Sequence, residues 1–166
     1  LPMSSFLSRL RRHKLLLAFL PALIFLFCSV FYYEINHSFV AFCDTVFRNE
    51  ITENTLNLHY TLENPEILNL SDPDVSFGSM NPEVLADSFS QQNIYLEKLF
   101  KFPKDWLSTE NRLTYDILTS AFSLQAEGEK YLLYDEPLGP SLGTQAQLPV
   151  LLAEYSFHNK KDIESY

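Results

Sequence analysis

The sequence predicts a mainly α-helical protein, in which an N-terminal transmembrane helix precedes an incomplete helical domain with a long Gly- and Pro-rich loop. Two observations support this fold class. An uncharged apolar run fills residues 15–33, and apolar side chains recur at helical spacing in later segments. The predicted organisation is a cytoplasmic basic flank at residues 1–14, a transmembrane segment at residues 15–33 and an extracytoplasmic helical domain at residues 34–166.

The apolar run, LLLAFLPALIFLFCSVFYY, has the length and composition of a membrane-spanning helix. At 1.5 Å per residue it extends about 28 Å, which matches the hydrocarbon thickness of a bilayer. Membrane helices tolerate a proline such as Pro21, and Tyr32 and Tyr33 suit an interfacial aromatic belt. We therefore expect the chain to contact a lipid bilayer through residues 15–33.

The charge distribution predicts the orientation of this helix. Four of the 12 basic residues precede the apolar run: Arg9, Arg11, Arg12 and Lys14. All 21 acidic residues lie at or after Glu34. By the positive-inside rule, we expect a single-pass plasma membrane protein with a cytoplasmic N-terminus and its bulk outside. The acidic domain argues against nucleic acid as a partner, because phosphate binding needs clustered cations.

The apolar run has two competing interpretations, a cleaved signal peptide and a buried helix of a soluble core. A cleaved signal has a shorter apolar core and small residues at the cleavage site. The residues at the end of the apolar run, CSVFYYEINHS, contain no A-x-A pattern. Phe27 also stands where a bacterial lipoprotein needs a small residue before its cysteine. A soluble core helix would leave the basic flank unexplained, so an uncleaved signal anchor is favoured.

Two amphipathic helices are predicted directly from apolar periodicity and capping residues. Phenylalanines at helical spacing predict the first, at residues 39–51. The second begins at Asn81 and Pro82, because Asn suits the N-cap and Pro the first helical position. It ends before Pro103, which cannot continue the helix.

A third amphipathic helix is predicted at residues 109–126, with Ser108 or Thr109 as its cap. One side of this helix is apolar and is formed by Leu113, Ile117, Leu118, Ala121, Phe122 and Leu124. The opposite side is polar: Arg112, Asp116, Thr119 and Ser123. A short link around Trp106 should join this helix to the preceding one as an antiparallel hairpin.

The segment TENTLNLHYTLENPE, residues 52–66, has an ambiguous pattern. Its leucines and Tyr60 alternate with polar residues, which favours a strand. A capping residue near its start and the Asn-Pro pair near its end would also allow a short helix. His59 has no potential ligand beside it, so a structural role is favoured over a catalytic or metal-binding role.

Residues 128–157 contain three of the four glycines and three of the nine prolines. Glycine and proline residues at this density predict a long ordered loop, within which short strands are possible at residues 130–134 and 150–153. Long loops in compact domains are often functional, and Gln145 and Gln147 could line a site and hydrogen-bond a peptide-like substrate. The favoured alternative is that both amides satisfy buried backbone groups within the loop.

The sequence contains no catalytic or metal-binding motif. The four histidines form no H-E-x-x-H pair, and neither a G-x-S-x-G motif nor a Gly-rich phosphate loop occurs. Cys28 and Cys43 are too few for a disulfide framework and suit small buried apolar positions. We therefore assign no catalytic residue, no metal ligand and no cofactor to this chain.

Four blocks of sequence, in order and with natural spacing, resemble the exported, membrane-anchored members of one bacterial family. The blocks are ITENTLNLHYTLENPE, LSTENRLTYDIL, EGEKYLLYDEPLGPSLGTQAQLPVLLAEYSF and KKDIESY. The family is the domain-of-unknown-function family eight-eight-five, and the resemblance covers about residues 39–166, with residues 129–157 the most specific part. It implies a predominantly α-helical, zinc metallopeptidase-like hydrolase, and it favours a short helix at residues 55–62.

The resemblance implies that this chain, which begins at Leu1 and stops at an unfinished pattern, is a fragment. The family's zinc-binding H-E…P-G-H motif and further glutamate lie in its C-terminal half, so no catalytic or metal role transfers to any residue here. Zinc is expected in the full-length parent, where it would activate water to hydrolyse a peptide substrate. This chain would then be the non-catalytic N-terminal part, whose partner is the missing C-terminal half of its own domain. The alternative is a membrane-tethered helical module that binds a partner and has no enzymatic activity.

Overall fold

The computed structural model describes residues 3–53, 58, 60–62, 68, 70, 81–134, 138–141, 143–155, 157 and 160–166. This part of the chain is mainly α-helical and contains no strand, which confirms the predicted fold class. Its α-helices are α1 (Met3–Ile51), α2 (Pro82–Leu99), α3 (Thr109–Gly128), α4 (Thr144–Ala153) and α5 (Lys160–Ser165). Two 3₁₀ helices also occur, η1 (Lys104–Trp106) and η2 (Glu129–Tyr134).

The predicted transmembrane segment and the predicted helix at residues 39–51 are parts of one helix, α1. Its 49 residues correspond to a length of about 73 Å. Residues 34–38, EINHS, contain neither Pro nor Gly, so nothing in the sequence interrupts the backbone hydrogen bonds between the two parts. The boundary expected at residue 33 is therefore a change of side chains within a continuous helix.

The two helices predicted from capping residues are present with the predicted caps. The Asn81 side-chain oxygen accepts a hydrogen bond from the backbone N–H of Glu83 at 3.0 Å, and α2 begins at Pro82. The Ser108 hydroxyl accepts from the backbone N–H of Asn111 at 3.2 Å, and α3 begins one residue later. These bonds satisfy backbone donors that the first turn leaves without a helical partner.

Helices α2 and α3 form the expected antiparallel hairpin. Tyr95 and Phe122 have ring centroids 5.9 Å apart, and Phe89 faces Gly128 at the far end of the pair. From the first contact to the second, the chain goes back six residues along α2 and forward six residues along α3, so the two helices run antiparallel.

Helix α3 runs parallel to the C-terminal half of α1, since its contacts with α1 advance together along both helices. The Asn111 amide donates to Asn36, and one turn later the Tyr115 ring lies 6.3 Å from the Phe39 ring. The C-terminal half of α1, α2 and α3 therefore form a three-helix bundle, with α3 directed away from the apolar half of α1.

The core of the bundle is small and aromatic. Its buried residues are Phe39, Val46, Tyr95, Leu99, Leu107 and Phe122. Phe102 packs edge-on against Phe39 with ring centroids 5.3 Å apart, in the favourable geometry for two aromatic quadrupoles. Cys43 packs against this cluster as a partly buried thiol, in the kind of position that the sequence indicated.

The apolar side of α3 is packed only in part. Phe122 is buried and Leu118 packs against the core. Three other residues of that side form an exposed row, here called the α3 stripe: Leu113 (64% exposed), Ile117 (58%) and Leu124 (72%). The stripe is exposed because α1 and α2 contact the neighbouring face of α3, which carries Tyr115 and Phe122.

The short strands allowed within residues 128–157 are absent from the described residues, and helices occupy their positions. Residues 130–134 belong to η2, where Tyr131 and Tyr134 contact each other with centroids 6.0 Å apart, as expected for positions i and i+3 of a 3₁₀ helix. Residues 150–153 end α4. A short apolar run does not distinguish strand from helix, and the Ala, Gln and Leu residues of α4 have high helix propensity.

The alternation that favoured a strand at residues 52–66 was also misleading. Leu58, Tyr60 and Thr61 are helical, and the Leu62 N–H donates to the Leu58 carbonyl at 3.1 Å. The short helix is the better description of these residues. His59 lies outside the described residues, so its structural role stays a prediction.

Candidate functional site at the junction of the apolar helix and the bundle

The apolar half of α1 is long and apolar enough to span a membrane. Only 6% of the most apolar 18-residue stretch of this helix is buried within the protein. The core helix of a soluble domain would be mostly buried. Large apolar side chains point outward on all sides, and they include Leu23, Phe25 and Phe27. A helix that is apolar all round and unburied needs an apolar solvent.

Asn36 connects this helix to the bundle through a side-chain amide whose donors and acceptor sites are all hydrogen-bonded. Its Nδ2 donates to the carbonyls of Tyr32 at 2.8 Å and Trp106 at 3.0 Å. Its Oδ1 accepts from the Ser108 backbone N–H at 2.7 Å and from the Asn111 Nδ2 at 2.8 Å. An asparagine amide has two donors and two acceptor sites, so Asn36 makes all the hydrogen bonds that it can.

Trp106 provides the apolar part of the same connection. Its indole ring packs edge-on against Phe31, with ring centroids 5.2 Å apart and an interplanar angle of 82°. Its carbonyl is the Asn36 acceptor described above. The junction, defined as Phe31, Tyr32, Asn36, Trp106 and Ser108, therefore holds the η1 turn against α1 through both polar and aromatic contacts.

Arg112 fixes the conformation of the η1 turn from the side of α3. Its Nε donates to the Leu107 carbonyl at 2.9 Å, and its Nη2 donates to the Asp105 carbonyl at 2.6 Å. Lys104 forms an ion pair with Asp116 at 2.6 Å, but both side chains are about half exposed, and such surface pairs contribute little. The two carbonyl contacts of Arg112 are the more specific restraint.

The two glutamines proposed as substrate-lining residues lie on the first turns of α4, and the loop expected there is helical. Gln145 is exposed, and its Nε2 donates to the carbonyls of Leu138 at 3.0 Å and Gly139 at 2.8 Å. Gln147 is exposed on the same helix. Gln145 thus closes a turn onto the start of α4 through contacts that are exposed. The substrate-lining role of both glutamines stays a prediction.

The glycine that begins this helix is required by a close backbone approach. The Gly143 N–H donates to the Gly139 carbonyl at 3.0 Å. A Cβ at Gly143 would overlap the backbone of Gly139, so a side chain there would force the turn open.

Within the described part of the chain, no three His, Cys, Asp or Glu side chains are grouped closely enough to bind a metal ion. These residues do not provide the ligand set of a zinc site, and no catalytic step is assigned to them. The His37 ring stacks on the Tyr33 ring one turn earlier on α1, with ring centroids 5.9 Å apart.

Comparison with protein-family models, with curated proteins and with solved structures gives no significant match. The class of protein is therefore defined by its architecture, a helical bundle carried on a helix that can span a membrane.

Sequence reasoning did not identify Asn36 as a functional residue. Its partners are backbone groups and an amide about 70 residues further along the chain, so no local pattern indicates them. The available signal was position: Asn36 is the first uncharged hydrogen-bonding amide after the apolar run, three residues beyond Tyr33.

Proposed function

We propose that this chain is the non-catalytic, membrane-anchoring N-terminal part of an extracytoplasmic protein. The observation that carries the proposal is the continuity of α1. The same helix supplies the outward-facing apolar segment and the core residues Phe39 and Val46. A helix shared in this way fixes the bundle directly at the membrane surface, without a flexible linker.

The anchor is proposed to stay uncleaved, with the N-terminus in the cytoplasm and the bundle outside the plasma membrane. Removal of residues before Asn36 would eliminate the Phe31–Trp106 ring contact and the Tyr32 acceptor of the junction. The basic residues that precede the apolar run supply the positive-inside signal for this orientation.

Protease treatment of spheroplasts tests the orientation and the cleavage together. With this topology, protease should degrade residues 34–166 and leave a membrane-embedded fragment that contains the basic flank. The mass of the untreated protein should include residues 15–33. A protected bundle would reverse the proposed orientation, and a mature protein that begins after residue 28 would replace the anchor with a cleaved signal.

The enzymatic part of the proposal rests on the resemblance to the domain-of-unknown-function family eight-eight-five. The parent protein would be a zinc metallopeptidase-like hydrolase of peptides, and this chain would form part of its helical wall. The exposed α3 stripe supports the larger domain that this assignment requires, because such a domain would cover an apolar row of this kind.

Peptide hydrolysis by the protein expressed from its complete genomic reading frame tests the enzymatic assignment. Hydrolysis should be abolished by a zinc chelator and restored by added zinc, and the present chain alone should be inactive. If the complete product binds no zinc and cleaves no peptide, the assignment fails while the anchoring proposal stands.

The α3 stripe also favours a second candidate function, a tethered module that binds another protein. A photo-crosslinking residue at Ile117 distinguishes the two candidates in the complete protein. An intramolecular adduct to a later segment of the same chain supports the hydrolase wall, whereas an intermolecular adduct supports the binding module. Gln125, which is exposed on the same helix but lies about 80° around it from Ile117, provides the control position outside the stripe.

A further inference from the structure

The side chain of Trp106 extends along α1 towards the apolar segment. Its backbone carbonyl lies at the level of Asn36, and its indole ring contacts Phe31. Five residues separate these two levels on the helix, a rise of about 7.5 Å. The ring therefore points away from the bundle, in the direction of the bilayer that the apolar half of α1 requires.

The depth of the ring follows from the sequence of α1. Uncharged apolar residues continue as far as Tyr33, and Glu34 is the first charged residue after them. Phe31 lies two residues before Tyr33, which places its level about 3 Å inside the end of the apolar segment. A ring at this level meets the boundary between acyl chains and headgroups.

We propose that Trp106 is a second membrane contact of the bundle, inserted in the lipid interface beside Tyr32 and Tyr33. This inference rests on the proposed membrane anchoring and adds a lipid-facing surface to it. The indole remains 39% exposed after packing on Phe31, which is itself 41% exposed, so both rings of this contact leave apolar surface uncovered beside the apolar segment. Trp and Tyr rings are enriched at this depth because they combine a large apolar surface with a polar group.

The junction holds the ring at this depth. Asn36 binds the Trp106 carbonyl, and Arg112 binds the carbonyl of the preceding residue, Asp105. The bundle is thus attached to the bilayer at two points, through the span itself and through a turn more than 70 residues later in the chain.

Trp106 is the single tryptophan of the chain, so intrinsic fluorescence reports on this position alone. The complete chain is reconstituted in phosphatidylcholine vesicles whose acyl chains carry bromine, either near the headgroup or near the bilayer centre. We expect strong loss of Trp106 emission with the shallow bromine, weaker loss with the deep bromine and little quenching by aqueous acrylamide. Emission should also shift to shorter wavelength on reconstitution.

A variant with the reporter at the other end of the bundle provides the matched control. Trp106→Phe combined with Tyr131→Trp moves the indole to η2, beyond the distal end of α3 and about 30 Å from Ser108. This exposed reporter should be quenched by acrylamide and unaffected by either brominated lipid.

Three outcomes would overturn the inference. In a chain that floats with vesicles and resists alkaline extraction, Trp106 emission unchanged by both bromine positions would place the ring in water. Stronger quenching by the deep bromine would place it in the hydrocarbon core instead of the interface. A chain that does not remain with the vesicles would remove the anchoring proposal and this inference together.

Discussion

The side-chain oxygen of Asn36 accepts a hydrogen bond from the backbone N–H of Ser108 at 2.7 Å, across 72 residues of sequence. Ser108 is also the N-cap of α3. One amide on α1 therefore determines where α3 begins relative to the apolar segment, and the orientation of the bundle depends on this contact.

Asn36→Ala should destabilise the bundle by about 2–3 kcal/mol. The substitution removes three tertiary hydrogen bonds of about 1 kcal/mol each, and one of them is the bond to the part-buried backbone N–H of Ser108. Thermal unfolding of the detergent-solubilised chain, followed by circular dichroism, measures the change. Asn49→Ala is the control, because Asn49 makes one such bond, to the Tyr95 hydroxyl. Equal effects of the two variants would contradict the central position of Asn36.

Leu99→Ala should cost about 2–5 kcal/mol, since Leu99 is fully buried between the helices and its truncation leaves a cavity. Leu124→Ala makes the same chemical change on the α3 stripe and should alter stability by less than about 0.5 kcal/mol. Urea unfolding of both variants measures the difference. A large effect at Leu124 would mean that the stripe is packed in the isolated chain.

Thr119→Val should stabilise the protein by about 1 kcal/mol. Among the described residues, the buried Thr119 hydroxyl has no hydrogen-bond partner. Replacement by a methyl group removes its desolvation cost while the side chain keeps its shape. Thr114→Val serves as the control, because the Thr114 hydroxyl donates to the Glu110 carbonyl; it should be neutral or slightly destabilising. A destabilised Thr119→Val variant would show that an ordered water or another group binds the hydroxyl.

Alkylation of Cys43 should be slower in the folded protein than in the unfolded protein at mildly alkaline pH. Burial raises the pKa of the Cys43 thiol, and a raised pKa leaves less of the reactive thiolate at a given pH. The rate should therefore reach its midpoint at higher pH when the protein is folded. Iodoacetamide labelling of a Cys28→Ser variant, with and without denaturant, measures both profiles. A lower midpoint in the folded protein would contradict the prediction.

Gln145→Ala should accelerate proteolytic cleavage near residues 138–143, because the variant loses both contacts that close this turn. Gln147→Ala should leave the cleavage rate unchanged, since Gln147 is exposed outside the turn. Limited proteolysis with mass spectrometry measures both rates. If Gln147→Ala raises KM for a peptide in the complete protein without changing cleavage of the turn, the substrate-lining hypothesis would hold for Gln147.

The parts of the fold that the sequence predicted correctly depend on local physics. The apolar run predicted the membrane-compatible helix, and the caps Asn81 and Ser108 predicted the starts of α2 and α3. Each of these signals lies within a few residues of the feature that it determines. The strand and loop predictions failed at η2 and α4, where short apolar runs carry no information that separates strand from helix.

The features that sequence reasoning missed depend on contacts between distant segments. The apolar side of α3 spans Leu113 to Leu124, and only the packing of α1 and α2 decides that Phe122 is buried while Leu113 is exposed. The Asn36 contacts require knowledge of which turn lies beside α1. Gln145 is a case between local and distant contacts. Its acceptors are six and seven residues away, but the side chain reaches them only after the turn at Gly143 has formed.

If the apolar segment spans a membrane as proposed, the continuity of α1 transmits any tilt of that segment to the bundle. About 18 residues, or roughly 27 Å of helix, project from the end of the apolar segment into the bundle. Transmembrane helices commonly tilt by about 20°, and they adjust the angle to bilayer thickness. Such a tilt would swing the outer end of α1 sideways by about 9 Å. Lipid composition would thus change the direction in which the bundle presents its exposed surfaces, which include the α3 stripe.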